Sequence, residues 1–367
     1  MTAHPAPAVT EPGGAAEGPG APAAWPLVTV IVPCRNERRY IRDCVESILA
    51  GDYPADRLEL LVADGMSDDG TREVLAELRS RDPRVRLLDN PRRITPCALN
   101  VALAHASGDV VVRMDAHNGY PPHYVRTLVG WLLRSGADNV GGAWRTCPAE
   151  ERPEARAVAA VLSHPLGVGN ARYRLGVSEP CWVDTVPFGC YRRDVFGRIG
   201  GFDEELVRNQ DDELNHRLRR SGGRILLVPG AESRYYARES MSKLGRMFWQ
   251  YGLYKPLVVR KVGAVCTLRQ LAPPAFVLAL LGGLVLALLG GAWTLPILAL
   301  GAVYGAATVG SAARSVRAVG WRAAALMPAA FAVAHLSYGA GFLIGAARLM
   351  RPRASRAGAA DAVPLSR

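Results

Sequence analysis

The chain has 367 residues, of which 49% are hydrophobic, and a formal net charge of +11 at pH 7. This length exceeds what one ordinary core needs, so we expect two or more structural units. The excess of cations favours anionic partners such as phosphorylated ligands or a membrane surface. No nucleic-acid recognition motif accompanies it, so we expect no nucleic-acid partner.

Residues 1–26 are rich in Pro, Ala and Gly, and they lack the apolar periodicity that a folded core requires. We interpret this segment as a disordered tail. It contains no secretory signal, so we expect the domain that follows to stay in the cytoplasm.

From residue 27 onward, short apolar runs alternate with segments of helical periodicity. The expected strands cover residues 28–33, 58–64, 85–90, 109–115, 140–144 and 224–236. The expected helices cover residues 36–50, 67–81, 95–108 and 212–222, and residues 183–206 read mainly as loops. Regular alternation of this kind predicts an α/β domain with a mostly parallel sheet over residues 27–237.

Polar or turn-forming residues stand where the expected strands end. Pro33, Asp64 and Asp115 all occupy such positions, and His117 follows two residues later. Ligands of parallel sheets bind beyond the carboxyl ends of the strands, so these positions predict a functional site.

The last third of the chain differs in kind, and we assign residues 263–350 to transmembrane segments. Residues 271–293, 295–313 and 323–347 contain no Asp, Glu, Lys or Arg. Each stretch is long enough to cross a hydrocarbon core of ~30 Å. The cations before the first stretch and between the second and third predict a cytoplasmic catalytic domain. The basic tail 351–367 conflicts with three simple crossings, so full crossing by the third stretch stays open.

Residues 238–262 have the pattern of a basic amphipathic helix. Met241, Leu244, Phe248 and Tyr251 share one face, and Pro256 is expected to end the helix. Such a helix before a membrane segment favours a position in the membrane interface. Packing against the α/β domain is the alternative.

Five motifs occur in a recognisable order: VTVIVPCRNE, LLVADGMSDDGT, GDVVVRMDAH, GGFDE and QDDEL. Over residues 28–236 the chain resembles the inverting family-2 glycosyltransferases, which have the GT-A fold. MDAH, RNQDDELNHRLRRSG and the C-terminal segments look most similar to the succinoglycan glucosyltransferases of the ExoA type.

The resemblance implies a binding site for a nucleotide-diphosphate sugar. Pro33, Arg35 and Glu37 would line the nucleoside pocket, and Asp64 would accept a hydrogen bond from the base. Asp115 matches the first acid of the family's D-x-D motif and would also contact the donor.

The same motif implies a divalent metal cofactor, Mn²⁺ or Mg²⁺, held by Asp115 and His117. His117 stands where the family usually has a second acid. Because imidazole suits Mn²⁺ better than Mg²⁺, the replacement favours Mn²⁺. A histidine that contacts phosphate, or one exposed in a loop, remains an alternative.

For the acceptor side, the resemblance implies that Asp211 is the catalytic base, with Gln210 in place of the family's glutamate. Asp212 is the close competitor for this role. Asp203 and Glu204, from GGFDE, would belong to the loop on the acceptor side.

These expectations describe a membrane-anchored, inverting hexosyltransferase of the inner membrane. Its donor would carry glucose, and its acceptor would be a polyprenyl-diphosphate-linked glycan used in exopolysaccharide or cell-surface glycan synthesis. Two alternatives stay open: a processive polysaccharide synthase, and a membrane scaffold or transport protein with an inactive transferase domain. The Q-x-x-R-W motif of processive synthases is incomplete after Gln250.

Overall fold

The computed structural model describes residues 24–263, 267–288 and 294–350. Most of the predicted N-terminal tail, residues 1–23, and the basic tail 351–367 lie outside these described residues. The assignments made for those two segments therefore stay predictions.

Among the described residues, one mixed sheet of eight strands organises the N-terminal two thirds of the chain. The strands are β1 Val28–Cys34, β2 Leu58–Asp64, β3 Val85–Asp89, β4 Val110–Arg113, β5 Asn139–Cys147, β6 Cys181–Trp182, β7 Cys190–Arg192 and β8 Ile225–Tyr236. Their order is β3-β2-β1-β4-β7-β5-β8-β6. The pairs β1–β2, β2–β3, β1–β4 and β5–β8 are parallel, while β7 is antiparallel to both neighbours. The mostly parallel α/β fold predicted from the sequence is confirmed.

The helices fall into two groups. Of the helices in the described part of the chain, nine belong to the α/β domain: α1 Ile41–Leu49, α2 Thr71–Arg81, α3 Thr95–His105, α4 Tyr124–Ser135, α5 Pro153–Leu162, α6 Pro165–Val168, α7 Arg172–Leu175, α8 Asp194–Ile199 and α9 Gln210–Arg220. Four follow it: α10 Met241–Val262, α11 Ala272–Leu288, α12 Thr294–Val319 and α13 Trp321–Met350. Short 3₁₀ segments cover Ala55–Arg57 and Leu268–Leu271.

Successive side chains along each strand point to opposite faces of the sheet. They form a separate hydrophobic core on each face. On β1, Val30 and Val32 pack with α1, α2 and α4, whereas Ile31 packs with α3, α8 and α9 on the opposite face. Both faces are thus covered by helices, which explains why the central strands read as continuous apolar runs.

Residues 183–206, expected mainly as loops, contain β7 and α8. The three residues of β7 are inserted between β4 and β5. A strand of this length is too short to produce a periodic signal, and its partners are distant in sequence.

The three C-terminal helices are long and apolar enough to cross a membrane, over Arg269–Leu288, Leu295–Val319 and Trp321–Met350. The helix α12 extends beyond the expected segment 295–313, through Arg314 and Arg317. Charged side chains end the apolar run without interrupting the backbone hydrogen bonds of a helix. Gly320, at φ +84°, then separates α12 from α13. Residues 289–293 of the first expected segment lie outside the described residues.

α10 is a continuous helix of 22 residues, and the expected break at Pro256 does not occur. It packs closely against α13 through glycines. A Cβ atom on Gly252 would lie 2.1 Å from the carbonyl oxygen of Tyr338, and one on Gly341 would lie 2.4 Å from that of Trp249. Leu244 of α10 lies in a buried cluster with residues of α5, α12 and α13. These protein contacts account for much of the apolar face of α10.

The glycine contacts predict that Gly341→Ala and Gly252→Ala destabilise the packing of α10 on α13. The added methyl group would meet backbone atoms that cannot rotate away, and overpacking of this kind costs about 1–3 kcal/mol. Gly305→Ala on α12 is the matched control, because no heavy atom lies within 4 Å of its added Cβ. Thermal unfolding in detergent should give lower midpoints for the first two variants only. Midpoints equal to that of the control would contradict the packing argument.

Candidate functional site

Two adjoining cavities lie where the sheet ends and the C-terminal helices begin. The first, of about 450 Å³, is lined by residues at the carboxyl ends of β1, β2 and β4. The second, of about 280 Å³, lies between the end of β5, the start of α9 and the helices α10 and α13. Six residues line both cavities: Arg113, Asp115, His117, Arg208, Gln210 and Arg238.

Most residues predicted to bind the donor meet in the first cavity. Pro33, Arg35, Glu37, Asp115 and His117 all line it. They come together because β1 and β4 are parallel neighbours, so the loops after both strands open at the same edge of the sheet.

Asp64 lies at this edge but does not itself line the first cavity, whereas the next residue, Gly65, does. The Asp64 side chain is fully buried. Its carboxylate accepts hydrogen bonds from the backbone N–H of Ser67 at 2.9 Å and from Nη1 of Arg72 at 2.8 Å. These contacts hold the turn after β2, and the contact of Asp64 with a base stays a prediction.

The loop that carries Asp115 and His117 is fixed by Tyr120, whose side chain is buried. The backbone N–H of Asp115 donates to the Tyr120 hydroxyl at 2.7 Å, and that hydroxyl lies 3.2 Å from the carbonyl oxygen of Asp115. A buried anchor of this kind sets the direction in which both polar side chains leave the strand.

The donor atoms of Asp115 and His117 fit a divalent metal that takes further ligands from its substrate. Nδ1 of His117 lies 3.4 Å from Oε1 of Glu37, which leaves Nε2 as the ligand atom. In Asp115, Oδ1 accepts hydrogen bonds from Arg113, while Oδ2 receives none from the described residues. No group of three or more His, Cys, Asp and Glu side chains among the described residues could hold a metal alone.

Arg113, on β4, is the residue that sequence reasoning missed. Its side chain is buried, and it forms ion pairs with Asp115, at 3.1 Å, and with Asp211. The Phe188 ring lies 5.6 Å from the guanidinium carbon. The available signal was a lone arginine inside the apolar run VVVRM, because an unpaired guanidinium is rarely buried in a strand.

Asp211 and Asp212 are adjacent in sequence but differ in their electrostatic environment. Burial raises the pKa of Asp211 to about 7, with Arg113 opposing the shift and Asp115 adding to it. Burial is also the largest single effect on Asp212, but the contacts with Lys255, Thr185 and Arg269 together outweigh it and lower the pKa. Asp211 is therefore the carboxylate suited to exchanging a proton near neutral pH.

Both carboxylates belong to the first turn of α9, which begins at Gln210 after Asn209 in the left-handed conformation. The side chain of Asn209 donates to the carbonyl oxygen of Tyr251 on α10 at 3.1 Å. This bond ties the start of α9 to α10, and both aspartates line the second cavity.

Asp203 and Glu204 line neither of these two cavities. Asp203 forms an ion pair with Lys261 of α10 at 2.6 Å. Glu204 is paired with Arg92 and accepts a hydrogen bond from Asn100 of α3 at 2.9 Å. The structure thus does not bring these two residues together with Asp211, and their acceptor-side role stays a prediction.

Comparison with known proteins agrees with this fold. Residues 29–200 match the family described as Glycosyl transferase family 2. Over 251 residues the chain is 36% identical to the succinoglycan biosynthesis protein ExoA of Rhizobium meliloti, an alignment that covers 67% of this chain and 74% of ExoA. The chain belongs to glycosyltransferase family 2.

Two further similarities are more distant. A dolichyl N-acetyl-alpha-D-glucosaminyl phosphate 3-beta-D-2,3-diacetamido-2,3-dideoxy-beta-D-glucuronosyltransferase of Methanococcus voltae is 28% identical over 244 residues, which cover 64% of this chain and 74% of that protein. The mannosyltransferase PcManGT of Pyrobaculum calidifontis, solved with GDP-Man and Mn²⁺, superimposes with a TM-score of 0.55 at 23% identity, covering 86% of this chain and 88% of that one. The similarity to PcManGT supports the shared fold.

The ion pair between Arg113 and Asp211 predicts a specific pH dependence. If Asp211 must be ionised to act, kcat/KM should rise as the pH increases through about 7. Arg113→Met removes the charge that opposes the raised pKa, so the rising limb should move to higher pH. Arg113→Lys keeps a positive charge and should move it less.

The measurement is kcat/KM against pH for wild type and both variants. Thermal unfolding of the same samples controls for loss of the fold. If Arg113→Met does not shift the rising limb of the pH profile, the assignment of this limb to Asp211 would be contradicted.

Proposed function

We propose that this protein is a membrane-anchored, inverting glycosyltransferase. It moves a hexose from a nucleotide-diphosphate sugar to a lipid-linked saccharide at the cytoplasmic face of the inner membrane. Similarity to ExoA, a succinoglycan biosynthesis protein, supports a role in exopolysaccharide synthesis. Glucose as the transferred sugar is part of the proposal. Membrane anchoring is supported by the three apolar helices after the α/β domain.

The observation that carries the proposal is the position of Asp211. It lines the second cavity beside Arg113 and Asp115, which line both cavities. A base placed at this junction can reach an acceptor hydroxyl in the second cavity while the donor occupies the first. Its raised pKa suits proton transfer at neutral pH.

In the reaction, Asp211 accepts the proton of the acceptor hydroxyl as that oxygen attacks the anomeric carbon. The new C–O bond forms on the face opposite to the leaving group, so the configuration inverts. The bond between the anomeric carbon and the diphosphate breaks, and the nucleoside diphosphate departs with the electron pair.

The departing diphosphate carries negative charge that the site must neutralise. Arg208 and Arg238 line both cavities and provide positive charge at the junction. A divalent metal held by Asp115 and His117 would supply further neutralisation, as PcManGT, which shares this fold, was solved with Mn²⁺. Arg113 holds one oxygen of Asp115 in place.

A lipid-linked acceptor is supported by the composition of the second cavity. Besides residues of the α/β domain, the cavity is lined by Lys255 of α10, Gln270 and Tyr338 of α13. Tyr338 lies within a helix that could span a membrane. An acceptor anchored in the membrane would therefore meet the cavity without leaving the bilayer surface.

Asp211→Asn should abolish transfer while nucleotide binding stays near wild type. The amide cannot take the proton, and the loss of a general base costs about 10²- to 10⁴-fold. Asp212→Asn is the matched control, because it removes an adjacent carboxylate that is already paired with Lys255. Membrane fractions incubated with a panel of radiolabelled nucleotide sugars and lipid extract provide the assay.

Two results of this assay would count against the proposal. Near-normal transfer by Asp211→Asn would remove Asp211 from the role of base. Long polymeric products, instead of addition of a single sugar, would favour a processive synthase.

Activity should disappear with a chelator and return with metal, with Mn²⁺ at least as effective as Mg²⁺. The reason is that one imidazole ligand weakens the site for the harder ion. His117→Ala should raise the metal concentration needed for half-maximal rate, and His117→Asp should shift the preference toward Mg²⁺. The measurement is the initial rate against metal concentration. An unchanged metal profile in His117→Ala would exclude the imidazole as a ligand.

A further inference from the structure

Arg174, on the short helix α7, is held inside a group of aromatic rings at the second cavity. Its side chain is only 7% exposed. The guanidinium carbon lies 4.5 Å from the ring centroid of Trp144, 5.1 Å from that of Tyr235 and 5.6 Å from that of Tyr173. The rings of Trp144 and Tyr235 are stacked at 4.5 Å, so the platform beneath the cation is rigid.

No carboxylate of the described residues forms an ion pair with Arg174. Its Nη1 atom is buried and donates no hydrogen bond within the described part of the chain, and the same is true of Nε of Arg238. A buried guanidinium normally has an acidic partner, because desolvation without one is costly. The ring contacts offset only part of this cost. Both arginines line the second cavity.

The net charge of the second cavity also favours an anionic ligand. Six cationic side chains line it, namely Arg113, Arg174, Arg208, Arg238, Lys255 and Arg269. Three carboxylates face them, namely Asp115, Asp211 and Asp212. Asp115 and Asp211 are paired with Arg113, and Asp212 is paired with Lys255. Arg269 is paired with Asp184, which is not among the lining residues, at 3.3 Å. Six cations and four carboxylates therefore leave an excess of two positive charges, together with buried N–H groups of Arg174 and Arg238 that have no acceptor among the described residues.

The donor diphosphate is not the natural partner of Arg174. The cations that line both cavities, Arg208 and Arg238, are placed for that group, whereas Arg174 lines only the second. The second cavity is also the one that reaches Tyr338 on the membrane-spanning candidate α13. An anion bound at Arg174 would therefore belong to the acceptor and would lie close to the membrane.

We propose that Arg174 and its aromatic platform bind the phosphate or diphosphate of a prenyl-lipid-linked acceptor. This inference rests on the proposed function and identifies the part of the acceptor that the second cavity recognises. Arg174 provides planar donors that match phosphate oxygens. Trp144, Tyr173 and Tyr235 hold the guanidinium in a fixed orientation, so little side-chain freedom is lost on binding.

The test is equilibrium binding of radiolabelled farnesyl diphosphate to the full-length protein in detergent, with excess UDP and GDP occupying the donor site. We expect wild type to bind farnesyl diphosphate at least tenfold more tightly than farnesol. Arg174→Met keeps most of the side-chain volume and should weaken farnesyl diphosphate about 10- to 100-fold, the range for a lost charge-assisted hydrogen bond. Arg174→Lys should restore part of the affinity.

Arg172→Met is the matched control, since Arg172 lies on the same helix but is exposed. It should bind farnesyl diphosphate like wild type, and all variants should keep wild-type affinity for nucleotide. Equal binding of farnesol and farnesyl diphosphate by wild type would overturn the inference. This comparison uses only wild type, so it tests the inference even if Arg174→Met fails to fold. Loss of nucleotide binding in Arg174→Met or Arg174→Lys would assign Arg174 to the donor site instead.

The transfer assay separates this inference from the proposed function. Transfer to a lipid-linked acceptor at wild-type KM in Arg174→Met would refute the anion site and leave the transferase assignment intact. Arg174-dependent binding of farnesyl diphosphate in a protein that uses no nucleotide sugar would refute the transferase proposal and support the anion site.

Discussion

The site depends on the burial of Arg113 between two carboxylates that come from different parts of the chain. Arg113 and Asp115 belong to the end of β4, and Asp211 belongs to the first turn of α9. Removing a guanidinium from water is expensive, and only partners held at contact distance offset the cost. The ion pairs therefore require that the sheet edge and the start of α9 keep a fixed position relative to each other. They also keep the pKa of Asp211 near 7, where burial alone would raise it further.

A second constraint comes from α10, which joins the α/β domain to the apolar helices. Lys255 of α10 pairs with Asp212, and the carbonyl oxygen of Tyr251 accepts a hydrogen bond from Asn209. On its other side, Gly252 allows the backbone of α13 to approach. Small residues at such crossings are typical of helices that pack by close backbone contact. The same helix thus fixes the candidate base and contacts a membrane-spanning candidate.

This arrangement gives the two cavities different chemistry. The first is lined by the loops after parallel strands, where backbone and polar side chains converge at one edge of the sheet. The second is enclosed by aromatic rings and by more cations than carboxylates, with one wall from the C-terminal helices. The proposed transfer from a soluble donor to a membrane-bound acceptor would use this asymmetry, because the two substrates would arrive from different phases.

The sequence by itself determined the parts of this protein that depend on neighbouring residues. The apolar runs that end in Pro33, Asp64 and Asp115 indicated the strands and the edge of the sheet at which the first cavity opens, because side-chain periodicity is local. The uncharged stretches near the C-terminus likewise identified the apolar helices by composition. His117 was found because it follows Asp115 at the same strand end.

Only the tertiary structure decided which charges meet. Asp211 and Asp212 are adjacent, and no local pattern distinguishes them. Their difference arises because Arg113 contacts one and Lys255 the other, across 98 and 43 positions of the chain. The sequence likewise did not indicate that Asp64 is covered or that Asp203 and Glu204 lie away from the cavities. Their positions also depend on contacts between residues that are distant in the chain. The isolation of Arg174 among aromatic rings likewise results from packing, since burial and the lack of a carboxylate partner are properties of the fold and not of the residues beside it in sequence.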